Sequence, residues 1–195
     1  EQINDYTKII YLANPDNPTG TYFSVAEFDQ FMKQVPERVL IILDEAYFEY
    51  ARHLDDYPDS MHYRYDNVIT LRTFSKAHGL AGFRVGYGFA HEDLIENLNK
   101  VKLPFEPSWP AQIVALAALD DEDYIQTTVN NCHQGKEKLE LVFQETGVET
   151  IPSAANFITL VFSSAEKAKA FNDKMLHRGI ILRHLPGWGL PNCIR

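Results

Sequence analysis

"VLIILDEAYFEY", residues 39–50, is the stretch on which the fold turns. Five apolar residues run unbroken from Val39 to Leu43 and give way at once to Asp44 and Glu45. A strand with one wet face alternates apolar and polar residues, so a run without alternation is expected to be covered on both faces, as in a largely parallel sheet. "KIIYLA" (8–13), "NVITL" (67–71) and "FRVGYGFA" (83–90) read as further strands, with amphipathic stretches between them. Ser24 and Glu27 form a capping box ahead of a helix whose inner side carries Val25, Phe28, Met32 and Val35 and which ends near Pro36. A second helix, from about His91 to Lys102, turns Leu94, Ile95, Leu98 and Val101 inward, and a third opens near Pro110. This alternation is that of an α/β fold, a three-layer, mostly parallel sheet.

The pattern changes further along. "LPFEPSWP" (103–110) holds three prolines and reads as a shaped loop. A long, mostly polar helix from Glu122 to Thr146 runs to a stop at Gly147. "NFITLVF" (156–162), a helix opened by Ser163 and Glu166, and "GIILR" (179–183) then give a β-α-β pattern. The expected division is a large domain over residues 1–105, and a linker helix with a smaller α/β C-terminal domain over 106–195. The chain starts on Glu1, without Met, and stops on Arg195 inside patterned sequence, so a piece of a longer protein, cut short at its C-terminal end, is expected.

Of the 195 residues 45% are hydrophobic and 12% aromatic, enough for a substantial core. A net charge of −9 argues against nucleic acid or an anionic membrane as partner, because both need clustered positive charge. Any bound anion must therefore be met by a few placed cations. No apolar run approaches a membrane span, and no charged-then-apolar leader is present. Cys132 and Cys193 lie far apart without a CxxC spacing, and the histidines show no ligand spacing, so neither a metal nor a disulfide framework is expected and a reducing cytoplasm is the default compartment.

Ligands of open α/β sheets bind outside the carboxyl ends of the strands, and three strand ends here carry unusual polar residues. "NPDNPTG" (14–20) is, by itself, a turn. Asp44 and Glu45 also fit the carboxylate strand of a nucleoside-triphosphate hydrolase, but no GxxxxGK[ST] phosphate loop occurs in these residues. "TLRTFSKAHGLAGFRVGYGF" (70–89) sets Thr73, Ser75 and Arg84 around Lys76 directly after a strand. Hydroxyls and a guanidinium suit a phosphate, and a lysine beside them can form a Schiff base, a pairing that pyridoxal phosphate requires. That cofactor also needs a carboxylate opposite its ring nitrogen, which Asp44 can supply. Glycines 79, 82 and 86 are expected to let the chain turn tightly between Lys76 and Arg84.

"NPDNPTG", "LDEAY" (43–47) and "TFSKAHGLAGFRVGY" (73–87), in this order, resemble the large-domain signature of the class I/II, fold-type I pyridoxal-phosphate aminotransferases. The resemblance implies that Lys76 carries the cofactor as a Schiff base and that Asp44 pairs with the pyridine nitrogen. It further implies that Asn17 and Tyr47 hydrogen-bond the phenolic oxygen, with Thr73, Ser75 and Arg84 on the phosphate. It also implies a cis Asn17–Pro18 bond, a homodimer, and a small-molecule amino donor with a 2-oxo acid acceptor. The tail, "GIILRHLPGWGLPNCIR" (179–195), is similar to that of histidinol-phosphate aminotransferases, which implies that Arg195 binds the acidic group of the substrate and that Arg183 assists at its phosphate. Asn156, in "SAANFITL", takes a packing or hydrogen-bonding role. Glu106 stands where relatives carry asparagine, with Trp109 nearby, and His78 stands where they often carry an aromatic, which points to a packed or solvated imidazole rather than a catalytic one. The other readings are an aromatic amino-acid aminotransferase, a threonine-phosphate decarboxylase, and a non-catalytic domain of the same fold.

Overall fold

The computed structural model describes residues 2–62 and 65–195. Its internal contacts gather the chain into two compact units, one of residues up to Pro15 with Tyr22–Val129, the other of Asp16–Thr21 with Asn130–Arg195. The division thus falls at 129/130 rather than the expected 105/106, and a short segment near residue 18 goes with the second unit. Packing explains the difference. The helix Trp109–Leu119 buries Ala111 and Ala115 against Phe74 and Val85 of the first unit. Residues 16–21 are fastened to the second by Thr159 Oγ1 donating to the Pro18 carbonyl (2.7 Å) and by Ala154 N–H donating to Gly20 O (2.8 Å).

The first unit holds a four-stranded sheet in the order β1 (Ile9–Ala13), β2 (Leu40–Asp44), β3 (Val68–Thr73), β4 (Gly86–Ala90). The first three strands are parallel and β4 runs antiparallel to β3. Helix α1 (Val25–Met32) covers one face, where Phe28, Met32, Ile41, Leu43 and Val68 form the core. Coverage of β2 on both faces is not what the structure has: Ile41 and Leu43 are fully buried, whereas Leu40 and Ile42 are half-buried. The second face is open at β1, where Ile9 and Tyr11 are 56% and 57% exposed. Four more helices follow in chain order, α2 (Phe48–Ala51), α3 (Glu92–Val101), α4 (Trp109–Leu119) and α5 (Glu122–Glu145). In α3 the inward face falls short of expectation, for Leu94 and Ile95 are half-buried while Leu98 and Val101 are exposed.

The capping box at α1 is formed as read. Ser24 Oγ accepts from Glu27 N–H (3.3 Å) while Glu27 Oε2 accepts from Ser24 N–H (2.8 Å), so two otherwise orphaned helix donors are satisfied. Ser24→Ala is expected to destabilise the protein by about 1 kcal/mol, read as a lower urea midpoint at an unchanged m-value.

The second unit holds a four-stranded antiparallel sheet, order β5 (Glu149–Ile151), β6 (Thr159–Val161), β8 (Leu190–Ile194), β7 (His184–Leu185), with α6 (Ala165–His177) between β6 and β7. The expected β-α-β unit is corrected on three points. The cap of α6 is Ser164 rather than Ser163. β6 pairs with β8 antiparallel rather than parallel. "GIILR" is not a strand, because Gly179 turns at φ +80° and backbone pairing to the last strand begins only at Arg183, leaving Ile181 84% exposed. Among the described residues no helix is long and apolar enough to cross a membrane, and no cluster of His, Cys, Asp and Glu could hold a metal ion.

Candidate active site

In the first unit the parallel register aligns the ends of three strands, Ala13 opposite Asp44 and Asp44 opposite Leu71. Asp44 is the last residue of β2. Its Oδ1 accepts from Ala46 N–H (3.0 Å) and its Oδ2 from the Tyr11 hydroxyl. Tyr11 pairs with Ile42 across β1 and β2, so Asp44 is its diagonal neighbour on the same face and within reach of a tyrosine. Partial burial, and then the adjacent carboxylate, push the Tyr11 phenol up, keeping it a donor. Tyr11 is a site residue that sequence reading missed.

The chain leaves β3 at Thr73, whose Oγ1 accepts from Ser75 N–H (3.1 Å). Ser75 Oγ in turn accepts from Arg84 Nη1 (3.3 Å), and the same nitrogen donates to the Ala81 carbonyl (2.9 Å). Two hydroxyls and a guanidinium thus converge beside Lys76, a donor set suited to a phosphate. Lys76 Nζ lies 5.4 Å from the centre of the Tyr47 ring. Gly79 closes the lysine turn, with φ +72° and its N–H on the Lys76 carbonyl (3.0 Å). A Cβ at Gly86 would stand 2.7 Å from the Arg72 carbonyl, so that glycine serves close strand approach. Gly82 has no such constraint, and the second left-handed residue of the loop is Arg84 itself, at φ +52°.

A buried charged layer lies next to these groups. Glu45, fully buried, accepts from Arg72 Nε (2.8 Å), and Arg72 Nη2 also bonds Asp59 Oδ1 (2.8 Å). The guanidinium carbon sits 3.4 Å from the centre of the Phe48 ring. Burial pushes the Glu45 carboxyl up, and Arg72 offsets this only in part. Because Glu45 is enclosed by Arg72, Asp44 and Glu45 do not form the free carboxylate pair a triphosphate hydrolase would use. His78 is packed, with its Nε2 3.5 Å from Glu49 Oε1 and its ring 4.8 Å from that of Phe74.

In the second unit, Arg195 donates to Asn17 Oδ1 and its guanidinium carbon lies 5.0 Å from the Phe157 ring centre. Arg183 and Arg195 exchange both backbone hydrogen bonds (3.0 and 2.8 Å), which sets the two arginines side by side at the end of the sheet. Gly20, at φ +81°, lies so close to Ser153 that a Cβ would overlap its hydroxyl. The expected cis bond at Asn17–Pro18 is not there; the cis bonds among the described residues are Asn14–Pro15 and Glu106–Pro107. Asn156 is exposed, and the buried residue of that segment is Ala155. Glu106 and Trp109 are both exposed.

Residues 1–195 match the family profile described as aminotransferase class I and II. The chain is 45% identical to histidinol-phosphate aminotransferase 2 of Carboxydothermus hydrogenoformans, over 100% of this chain and 54% of that protein. It is 44% identical to the histidinol-phosphate aminotransferase of a Geobacillus strain, over 99% of this chain and 53% of that protein. The crystal structure of histidinol-phosphate aminotransferase from Sinorhizobium meliloti in complex with pyridoxal-5'-phosphate has a TM-score of 0.87 at 34% identity, over 96% of this chain and 51% of that one. The chain spans about half the length of the curated relatives it matches.

Proposed function

The chain belongs to the aminotransferase class I and II family, and from that premise we propose that it carries the pyridoxal-phosphate site of a histidinol-phosphate aminotransferase. Such an enzyme moves an amino group from histidinol phosphate to a 2-oxo acid, a step of histidine biosynthesis. The observation that carries the cofactor reading is the convergence of Thr73, Ser75 and Arg84 beside Lys76, on the strand next to the one that ends in Asp44. Identity of 45% along the whole chain to a protein of that name supports the substrate. A homodimer, which rests on the family resemblance, and a cytoplasmic location, which rests on the lack of a disulfide or metal pattern in Cys132 and Cys193, are part of the same proposal.

The residues present fit the cofactor, since phosphate donors, an amine and an oriented carboxylate all stand at strand ends. When bound, pyridoxal phosphate supplies an electron sink for charge left on the substrate's α-carbon. Arg84 and the Ser75 and Thr73 hydroxyls hold the phosphate, and the Ser75 contact already orients the guanidinium. Asp44 holds the proton on the ring nitrogen, while Tyr11 and the Ala46 N–H fix the plane of its carboxylate. Tyr47 and Asn17 are assigned to the phenolic oxygen. Lys76 Nζ anchors the cofactor and, once released as a free amine, moves a proton at the substrate's α-carbon. Arg195 and Arg183 take the acidic end of the substrate.

Product analysis with histidinol phosphate, phenylalanine and threonine phosphate as donors tests the substrate. The highest kcat/KM is expected for histidinol phosphate; a preference for phenylalanine, or carbon dioxide released from threonine phosphate, would overturn it. Asp44→Ala is expected to lower turnover about a hundredfold or more while sparing most cofactor binding, which the Arg84 and Lys76 groups retain. Unchanged turnover in that variant would remove Asp44 from its role.

A further inference from the structure

The lysine turn and the start of α2 touch twice. Lys76 faces the ring of Tyr47, and two residues on in each segment His78 faces Glu49, Nε2 to Oε1 at 3.5 Å. The His78 and Glu49 side chains are 8% and 6% exposed, and Glu49 Oε2 and His78 Nδ1 have no hydrogen-bond partner. Lys76 itself is exposed, and its turn is closed by backbone bonds from Gly79 N–H to the Lys76 carbonyl (3.0 Å) and from Leu80 N–H to the Phe74 carbonyl (2.9 Å). We propose that Glu49 and His78 are positioning residues, a proton-holding clamp that fastens the lysine turn to the Tyr47 turn and so sets where Lys76 stands. The inference rests on the reading of Lys76 as the cofactor lysine.

A single proton held between a buried carboxyl and a buried imidazole leaves the pair neutral overall and hydrogen-bonded. Without that proton the pair carries a buried negative charge with one carboxylate oxygen unpartnered, a state that favours entry of water and a looser turn. Burial pushes Glu49 up to about 7 and holds His78 below its ordinary value. The groups facing Glu49 are Arg72, Arg52, Glu45, Tyr57 and Tyr87, and those facing His78 are Arg52 and Glu122, which are themselves ion-paired. Glu49 is raised in the fold, so its contribution to stability is complete below its ordinary 4.5 and is lost as pH rises through about 7. His78 is depressed, so its contribution is present above 6.5 and is lost as pH falls below that. Glu49→Gln isolates the first effect, because a neutral amide keeps the size and a donor while removing the titration.

The test uses full-length protein and the rate at which hydroxylamine strips bound pyridoxal phosphate, compared between wild type and Glu49→Gln across pH 6 to 8. The titration of hydroxylamine is common to both proteins and cancels in the ratio. The ratio is expected to be near one at pH 6 and to rise roughly tenfold by pH 8, the scale on which a slightly misplaced reactive group is felt. His78→Phe, which keeps the stack on Phe74, is expected to lose the same pH dependence. As a readout independent of the cofactor, the urea midpoint of wild type is expected to fall relative to Glu49→Gln between pH 4.5 and 7. A flat ratio together with parallel urea profiles overturns the clamp. Wild-type protein that holds no pyridoxal phosphate overturns the cofactor reading itself, a separate failure that takes the clamp's role at Lys76 with it.

Discussion

Lys76→Ala is expected to lower turnover of histidinol phosphate by about 10⁴-fold while leaving the fold intact. On the proposed function two roles leave with one amine: the covalent hold on the cofactor, and the proton carrier at the substrate's α-carbon, each of them large in enzymes that use such groups. Stability is a separate matter. Lys76 is exposed, and the side-chain contact it makes is the approach to the Tyr47 ring, so its removal lies within about 0.5 kcal/mol of neutral. The turn is held by its neighbours instead, with Phe74 and Ala77 buried and the former packed against Val85, Ala111 and Ala115. Steady-state kinetics beside a thermal melt separate the two effects. A variant with wild-type melting and turnover reduced less than tenfold would take Lys76 out of the chemistry.

Arg72→Leu is expected to destabilise the protein by about 3–5 kcal/mol, because it strands a carboxylate rather than merely deleting a contact. The Arg72 side chain is 6% exposed and Glu45 not at all, and their 2.7 Å ion pair is what makes Glu45 tolerable beneath the sheet. Asp59 and the face of Phe48 lose the guanidinium at the same time. The loss is expected to deepen with pH. Burial already favours the protonated Glu45 carboxyl, and without Arg72 its titration in the fold moves further up, so stability present at low pH is lost as pH rises toward that value. Glu45→Leu in the same background is expected to recover much of the difference, since an apolar pair of similar volume carries no desolvation penalty. Urea unfolding of both variants at two pH values measures this, and a single variant as stable as wild type would show that the buried pair contributes nothing.

What could be read from the chain followed from signals that are local. β1 to β4 show as apolar runs ended by turn residues, and Asp44, Ser75, Lys76 and Arg84 stand out because polar groups follow those runs abruptly. Features made by pairing were not legible. Tyr11 reaches Asp44 only through the β1–β2 register, and Arg72, Glu45 and Asp59 meet from three separate segments. In the second unit β6 showed within "NFITLVF", but β5 and β8 were hidden because β5 carries Glu149 and Thr150 and β8 carries Pro191 and Asn192, none of them strand formers by pattern except the threonine. "GIILR" misled in the opposite direction, apolar in sequence but with no neighbouring strand to pair until Arg183. The proline-rich loop looked like a boundary, yet α4 beyond it packs on Phe74 and stays with the first unit.

The central claim is that Lys76 is the residue that binds pyridoxal phosphate covalently. Full-length protein is incubated with pyridoxal phosphate, reduced with borohydride, digested and mapped by mass spectrometry. The mass of the reduced phosphopyridoxyl group is expected on the peptide that contains Lys76, and to vanish in Lys76→Ala. The same mass on another lysine, or on none, would contradict it.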